Sequence, residues 1–520
     1  MVNKFMNSLK AENTFTHTEN GAITRTTTMS GLMDLFGLGG AYRTRSEVDC
    51  INLFKKAFEE NEEYAMKCLF YLADIRGGQG ERRFFRVVSK WLAREHTEAM
   101  RRNLKYIPEY RRWDDLYTFV GTPLEKDAFN FMREQLNLDV SCKTPSLLAK
   151  WLKSENTSSP ESCALGNKTR IYFQMTHKQY RKTLSILRKR INVLERLMSE
   201  GRWDEIEFDK IPSRAGMIYK NAFARHDVER MRQGAEKSYE DFAKDKNTKV
   251  NAKDLYPYEV VAKAFKLTNN SRCYWDPYYS KKKVALDDVD RLMINKYWDN
   301  LADYFKGASL NALCVVDTSG SMWGTEASAP INVAISLGLY CAEKAKGPFA
   351  GHYISFSSRP QLIATEGVDF CDKVERIYRT NLCQNTNIEA TFDMLLNTAL
   401  RNKCHQEDLP QSIIVISDME FDAARGYSRY GWSRDYDWSN DQETLMEGIK
   451  RKWENAGYKM PNLIFWNVQA RQDNIPMKVK NGITMVSGFS PVLFEQIMQN
   501  KSALDLVLDK LNSERYAPIH

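Results

Sequence analysis

The chain has 520 residues, 43% of them hydrophobic and 27% charged, which is the composition of a globular protein with more than one core. It contains no run of about 18 apolar residues, and its first residues lack the apolar core of a signal peptide, so we expect a cytoplasmic protein without a membrane span. The ten cysteines include no C-x-x-C pair, which argues against a zinc knuckle or ribbon.

The formal net charge of +8 is unevenly distributed. Residues 1–300 hold 53 Lys and Arg against 41 Asp and Glu, a net of +12. Residues 301–520 hold 22 against 26, a net of −4. The positive excess therefore belongs to the first part, where it favours an anionic partner over an ordinary solvated basic surface.

Residues 1–45 are predicted to form an N-terminal arm. Up to residue 30 the segment is polar and rich in threonine (ITRTTTMS), which is typical of a weakly ordered stretch. The segment GLMDLFGLGGAYR that follows mixes apolar residues with glycines, and we expect it to dock as a turn or a short helix.

Residues 46–306 are predicted to form a helical-repeat domain. Apolar residues recur at spacings of three and four, as in VDCINLFKKAFEENEEYAMKCLFYLADI. Breaks are predicted at the glycine-rich segment 76–80, at Pro108, before Pro123 and Pro145, and at a polar loop over 154–167. Short helices with brief breaks are typical of stacked antiparallel pairs, so we expect an all-α, HEAT-like solenoid or ring.

Residues 307–520 are predicted to form an α/β domain. LNALCVVD and SIIVISD are continuous apolar runs, as expected of central parallel strands covered on both faces. Helical segments alternate with these runs and with shorter strand segments (GHYISFS, QLIATE, NLIFWNV and GITMVSG). This alternation predicts a doubly wound parallel sheet.

Oxygen-bearing side chains follow both apolar strands. Asp317, Ser319 and Ser321 form a D-x-S-x-S pattern directly after the first strand, Asp418 ends the second, and Thr386 lies just before a predicted helix. Ligands bind at the edge of an α/β sheet where strands end, and oxygen donors without His or Cys favour Mg²⁺, Mn²⁺ or Ca²⁺ over zinc. Two carboxylates and three hydroxyls leave room for water and for one external acidic ligand.

These motifs resemble a von Willebrand factor A domain with a metal-ion-dependent adhesion site. The resemblance covers residues 310–490 and implies that the D-x-S-x-S residues, Thr386 and Asp418 bind the metal. It implies further that the three hydroxyls ligate directly, while the aspartates often act through water.

The sequence contains no comparable catalytic motif. It has no Walker A, GxGxxG or GxSxG pattern, and the glycine-rich segment 76–80 follows a helix instead of a strand. Glu420 and Asp422 lie where a general base for metal-activated water would lie, although charge near the metal or in solvent is the simpler interpretation. We therefore expect that the protein is not an enzyme.

Two basic clusters lie in the helical part, and aromatic residues such as Phe84, Phe85 and Tyr110 are interleaved with them. Basic side chains neutralise phosphates and aromatic rings stack on unpaired bases, so both clusters are candidates for binding RNA. The alternative is a set of helices with aromatic residues inside and Lys and Arg outside. The candidate RNA-binding residues are Arg76, Arg82, Arg83, Arg86, Arg101, Arg102, Arg111, Arg112, Lys178, Arg181, Lys182, Arg188, Lys189 and Arg190.

A basic helical region followed by an adhesion-site A domain resembles the Ro/TROVE ribonucleoproteins. In that family a ring of HEAT-like helices binds the ends of misfolded RNAs through its hole, small structured RNAs bind the outer basic surface, and the A domain closes the ring. ADIRGGQGERRFF, RRWDDLY and AKWLKSENTSS look closer to an uncharacterised Ro-like family found in phages and elsewhere. The resemblance implies a monomeric RNA-binding scaffold with a metal-bearing A domain.

Two other hypotheses stay open. The metal of the A domain can instead capture a carboxylate from a protein partner, which would make the chain a protein-interaction module. The third hypothesis is a metal-dependent hydrolase that acts on nucleic acid.

Overall fold

The computed structural model describes residues 14–268, 288–307, 309–324, 326–356, 359–379, 386–422, 444–476, 483–497 and 502–520. Helices dominate as far as residue 299, and a sheet of six strands follows. The predicted fold class, a helical first part and an α/β second part, is therefore confirmed. Within the described ranges, no helix is both long and apolar enough to cross a bilayer.

The order of the elements separates the two parts. The described strands are β1 (Phe15–His17), β2 (Ile23–Arg25), β3 (Ala312–Asp317), β4 (His352–Phe356), β5 (Gln361–Ala364), β6 (Ser412–Ser417), β7 (Asn462–Asn467) and β8 (Ile483–Ser487). The described α-helices are α1 (Gly31–Leu38), α2 (Glu47–Glu60), α3 (Glu62–Ala73), α4 (Arg82–Glu95), α5 (Thr97–Asn103), α6 (Ile107–Tyr110), α7 (Glu125–Ser141), α8 (Leu148–Trp151), α9 (Pro160–Tyr172), α10 (His177–Arg190), α11 (Leu194–Ser199), α12 (Ser213–Arg225), α13 (Asp227–Arg232), α14 (Tyr239–Lys244), α15 (Pro257–Thr268), α16 (Asp288–Asp299), α17 (Pro330–Lys344), α18 (Phe370–Arg379), α19 (Ile388–Asn402), α20 (Leu445–Asn455), α21 (Val492–Ile497) and α22 (Ala503–Leu511).

The large sheet has the strand order β5-β4-β3-β6-β7-β8. Its neighbours run parallel except for β5, which pairs antiparallel with β4 at the edge. The prediction of a parallel sheet is therefore wrong for β5 alone. The short connection between β4 and β5 permits an antiparallel pair, whereas a parallel pair would need a longer crossover. β3 is buried at every residue and β6 at all but its first, as expected of strands covered on both faces. The chain reverses its direction of strand addition between β3 and β6, which creates a crevice at their carboxyl ends.

The N-terminal arm is more ordered than its sequence predicts. β1 and β2 form an antiparallel hairpin, and α1 follows with every residue after its first one buried. The Thr18 hydroxyl donates a hydrogen bond of 2.6 Å to the carbonyl of Phe421, 403 positions further along the chain. The expectation of a weakly ordered stretch is therefore wrong over residues 14–30, because the partners of the hairpin lie too far away in sequence for local composition to indicate them.

The helical part contacts the sheet domain at both of its ends. At the start, α1 packs on β8, and α3 contacts α22. At the end, α15 packs on α17 and α18, where Phe265 stacks on Tyr378 with 4.1 Å between ring centroids. Trp298 of α16 stacks on Phe370 of α18 at the same centroid distance of 4.1 Å. The first and the last helices of the helical part therefore both pack against the sheet domain, so that the chain of helices returns to the domain on which it begins.

The boundaries of the helices follow most of the predicted breaks. Segment 76–80 separates α3 from α4, and a Cβ at Gly78 would lie 1.8 Å from the carbonyl oxygen of Tyr71, so only glycine fits. The predicted loop at 154–167 is wrong in its second half, which begins α9. Ser159 caps this helix, whose polar sequence hid it because few of its residues are buried.

The C-terminal segment binds the start of the helical part. Tyr516 is fully buried, with its ring stacked on Tyr110 and edge-on to Tyr71. Its hydroxyl donates to Oδ2 of Asp74 at 3.0 Å, and Nη2 of Arg515 donates to Oδ1 of the same carboxylate at 2.8 Å. This contact ties the sheet domain to α3 and α6.

We expect Tyr516→Ala to lower the free energy of unfolding by about 3–5 kcal/mol, because it leaves a cavity where two tyrosine rings lose their partner. Tyr516→Phe keeps the ring and loses only the hydrogen bond to Asp74, so it should cost about 1–2 kcal/mol. Urea unfolding monitored by fluorescence measures both changes. Equal urea midpoints of unfolding for the wild type and Tyr516→Ala would show that the contact of Tyr516 with the start of the helical part does not stabilise the fold.

Candidate metal centre and basic surface

The five predicted ligands lie at one edge of the large sheet. Asp317 is the last residue of β3, and Asp418 directly follows β6, the strand that pairs in parallel with β3. Ser319 and Ser321 lie on the turn after β3, and Thr386 lies just before α19. All of them except Ser321 are buried. Parallel strands bring their carboxyl ends to the same edge, which is why local patterns at two strand ends predict this site.

Hydrogen bonds connect the ligands to one another. The Ser319 amide donates to Oδ1 of Asp317 at 2.9 Å, and the Ser417 hydroxyl donates to Oδ2 of Asp317 at 2.5 Å. The hydroxyls of Ser319 and Ser321 are 3.0 Å apart, and the Glu420 amide donates to Oδ1 of Asp418 at 3.3 Å. The two aspartates are therefore oriented by hydrogen bonds from neighbouring residues of the protein.

The two carboxylates carry more negative charge than the surrounding side chains neutralise. Burial, and next the charge of Asp418, raises the pKa of Asp317 to about 7. Burial raises the pKa of Asp418 above its usual range as well. Oδ2 of Asp418 is buried and accepts no hydrogen bond among the described residues, and Nε of Arg471 lies 3.8 Å from it. An uncompensated buried carboxylate is costly, so the site favours a bound cation.

The donor set fits a hard divalent cation. Within the described residues, no three His, Cys, Asp or Glu side chains come together as a possible metal cluster, so in this geometry hydroxyl groups and water would have to complete a coordination sphere around the two aspartates. Asp317 and Asp418 supply carboxylate oxygens, and Ser319, Ser321 and Thr386 supply hydroxyl oxygens. Such ligands suit Mg²⁺, Mn²⁺ or Ca²⁺ and disfavour zinc.

Glu420 and Asp422 have structural partners in the described geometry. The Glu420 side chain is fully buried, and its two carboxylate oxygens accept hydrogen bonds from Asn474 Nδ2 at 2.8 Å and from the Glu19 amide at 2.7 Å. Burial raises the pKa of Glu420 to about 7. The amide of Asp422 donates to the carbonyl of Thr386 at 2.9 Å. Glu420 and Asp422 therefore connect the sheet edge that carries the predicted ligands (the metal edge) to neighbouring segments.

The N-terminal hairpin contributes residues that the sequence did not predict. Asn20 donates through Nδ2 to the carbonyl of Glu420 at 2.6 Å and to the hydroxyl of Thr386 at 3.4 Å. Glu19 pairs with Arg471, whose Nη1 is 3.4 Å from Oε2 of Glu19. No motif marks these residues, since the contacts join segments that lie far apart in the chain.

Most of the first basic cluster is paired with carboxylates. Asp114 and Asp115 form ion pairs with Arg82, Arg86, Arg111 and Arg112. The side chain of Arg111 is fully buried, and the interleaved aromatic residues Phe84, Phe85 and Tyr110 lie in the core. Arg101 pairs with Glu98 and Asp127, and Arg102 pairs with Glu62. Of the remaining two residues of the cluster, Arg76 is exposed and Arg83 lies half-buried near Cys50.

The second basic cluster lies on α10, which begins with a capping box between Thr176 and Gln179. Arg188 is directed inward and donates to the carbonyls of Ala149 and Leu152 at 2.8 and 2.9 Å. Arg190 donates to the carbonyl of Val140. The other cations of the helix are exposed, and none of them forms an ion pair with another described residue; they are Lys178, Arg181, Lys182 and Lys189.

Comparisons with known proteins match most of the chain. A family model described as a domain of unknown function (DUF2828) matches residues 18–127 and 138–309, and a second (DUF7788) matches residues 311–515. The chain is 30% identical to uncharacterized protein L728 of Acanthamoeba polyphaga mimivirus, over 92% of this chain and 84% of that protein. Among solved structures, it is similar to the Ro (RSR) protein of Deinococcus radiodurans, with a TM-score of 0.49 and 12% identity over 93% of this chain and 99% of that one.

Proposed function

We propose that this chain, which belongs to the DUF2828 family, is an RNA-binding scaffold of Ro type without catalytic activity. In this proposal the helical part binds structured or single-stranded RNA on a basic surface. The sheet domain is a von Willebrand factor A domain that closes the path of the helices and binds Mg²⁺ or Mn²⁺.

The observation that carries the RNA part is the exposed face of α10. Lys178, Arg181, Lys182 and Lys189 project from one helix without carboxylate partners among the described residues. Exposed cations without carboxylate partners attract a polyanion more strongly than cations whose charge is already neutralised. The net charge of +12 over residues 1–300 supports the same surface.

The metal part rests on the buried aspartate pair. Asp317 and Asp418 are held at one sheet edge beside three hydroxyls, and one carboxylate oxygen accepts no hydrogen bond among the described residues. A divalent cation would supply the missing positive charge and hold the turn after β3 against β6. In a scaffold this role is structural, since it stabilises the domain that closes the helical path.

The proposal is tested by filter binding of the purified chain to a structured hairpin RNA and to a single-stranded RNA at several salt concentrations. We expect binding of both, with affinity that falls linearly on a log–log plot as salt rises, because phosphate contacts release counterions. Absence of RNA binding at low salt would contradict the proposal.

The two other hypotheses give different results in related assays. A protein-interaction module would capture an acidic protein partner, and Asp317→Asn would abolish this capture while RNA binding persists. A metal-dependent nuclease would cleave RNA in the presence of Mg²⁺ or Mn²⁺, and Asp418→Asn would remove the cleavage.

A further inference from the structure

We infer that Glu19 is the chain's own acidic ligand for the candidate metal centre, so that the N-terminal hairpin supplies in cis the carboxylate that an adhesion site takes from a partner. This inference rests on the proposed metal centre. It concerns the open coordination position, which the five ligands from the sheet domain leave unfilled.

The turn of the hairpin is fixed against the metal edge. The Thr18 hydroxyl, the Glu19 amide and the Asn20 side chain each donate to the segment 420–421, at 2.6, 2.7 and 2.6 Å. β2 is held as well, because the amides of Arg25 and Ile475 each donate to the carbonyl of the other residue. The turn is therefore positioned by the fold, which lowers the entropy cost of presenting a ligand.

The turn lies beside two of the predicted ligands. On one side, Nδ2 of Asn20 lies 3.4 Å from the hydroxyl of Thr386. On the other side, a single guanidinium contacts both acidic residues, since Arg471 Nη1 is 3.4 Å from Glu19 and Nε is 3.8 Å from Asp418. Glu19 and Asp418 are therefore on either side of the same cation, with Glu19 on the solvent side.

Glu19 is the exposed carboxylate in a group that also contains Asp317, Asp418 and the buried Glu420, and Arg471 pairs with two members of the group. Both carboxylate oxygens of Glu420 already accept hydrogen bonds, from Asn474 and from the Glu19 amide. A divalent cation would offset part of the remaining negative charge, and Glu19 is the carboxylate on the solvent side of the site. Glu19 would then exchange its contact with Arg471 for a contact with the metal by a change of rotamer of its side chain, which is 44% exposed.

The experiment is a calorimetric titration of the full chain with Mn²⁺. We expect Glu19→Gln to weaken Mn²⁺ binding about 10-fold or more, because a carboxylate is a far better ligand than a neutral amide. Glu19→Ala should weaken binding similarly, and millimolar acetate should restore the affinity, since it supplies a free carboxylate to the open position. The matched control is Glu59→Gln on α2, an exposed glutamate paired with Lys55, which should bind Mn²⁺ like the wild type.

Two results separate this inference from the metal centre on which it rests. Asp317→Asn should lose measurable Mn²⁺ binding, and wild-type affinity in that variant would overturn the metal centre and the role of Glu19 together. Loss of binding in Asp317→Asn with wild-type affinity in Glu19→Gln, and no effect of acetate on Glu19→Ala, would overturn the role of Glu19 alone.

Discussion

Mg²⁺ or Mn²⁺ at about 100 times its dissociation constant is expected to raise the melting temperature of the chain by roughly 5–10 °C, and Asp317→Asn is expected to remove this rise. A ligand at that concentration contributes about 2.7 kcal/mol, and each kcal/mol shifts the midpoint of a domain of 150–250 residues by about 2–4 °C. The physical cause is the pair of buried aspartates, which a divalent cation would neutralise.

Without metal, Asp317→Asn is expected to raise the melting temperature, whereas with metal the variant lacks the stabilisation that the bound cation gives the wild type. Asparagine retains the shape and still accepts from the Ser319 amide, and its Nδ2 can donate to the Ser417 hydroxyl, which donates to Oδ2 in the wild type. The substitution also removes the charge that repels Asp418. Without metal, the variant should therefore melt at a higher temperature than the wild type. Asp209→Asn, at an exposed position of the helical part, is the control and should respond to metal like the wild type.

Scanning fluorimetry in EDTA and in Mg²⁺ or Mn²⁺ measures both effects. A wild-type melting temperature that does not depend on metal would contradict the metal centre. A metal-dependent rise that persists in Asp317→Asn would place the binding site elsewhere in the chain.

The sequence predicted those features that local patterns encode. The buried strands β3 and β6 stand out as apolar runs, and a parallel sheet necessarily brings Asp317 and Asp418 to one edge. The helices and most of their breaks follow from apolar spacing and from glycine and proline. The edge strand β5 is exposed at three of its four residues, so no buried pattern in its sequence indicates its direction.

The rest depends on contacts between distant segments. The hairpin that carries Glu19 is hydrogen-bonded to Glu420 and Phe421, which lie about 400 positions further along the sequence. Its polar, threonine-rich sequence does not indicate those partners. The basic clusters show a similar limit. Apolar spacing identifies a helix, but it does not reveal that Arg111 is neutralised by Asp115 or that Arg188 is directed inward.

The metal edge and the end of the helical path share one packed cluster. The turn that carries Ser321 continues into Trp323, whose ring is 6.4 Å from Phe265 of α15 and 6.1 Å from Tyr378 of α18. Phe265 and Tyr378 also stack on each other where the helices return to the sheet domain. A cation that orders this turn would therefore stabilise the closure of the helical path as well.

The second large effect is expected when the face of α10 loses its charge. Replacement of Lys178, Arg181, Lys182 and Lys189 by glutamine should lower the slope of log affinity against log salt by about 3, since each phosphate contact contributes about 0.7–0.9. If the variant and the wild type bind equally near 1 M salt, where the electrostatic contribution is small, the loss at 0.1 M is about 600- to 4000-fold.

A matched variant distinguishes a binding face from the effect of net charge. Glutamine at Arg202, Lys210, Lys237 and Lys244 removes the same number of positive charges, but each of these side chains is at least partly exposed and already paired with a carboxylate. This control should keep most of the RNA affinity and most of the salt slope. Equal losses in the two variants would mean that RNA responds to the total charge of the helical part, and the α10 face would then have no special role.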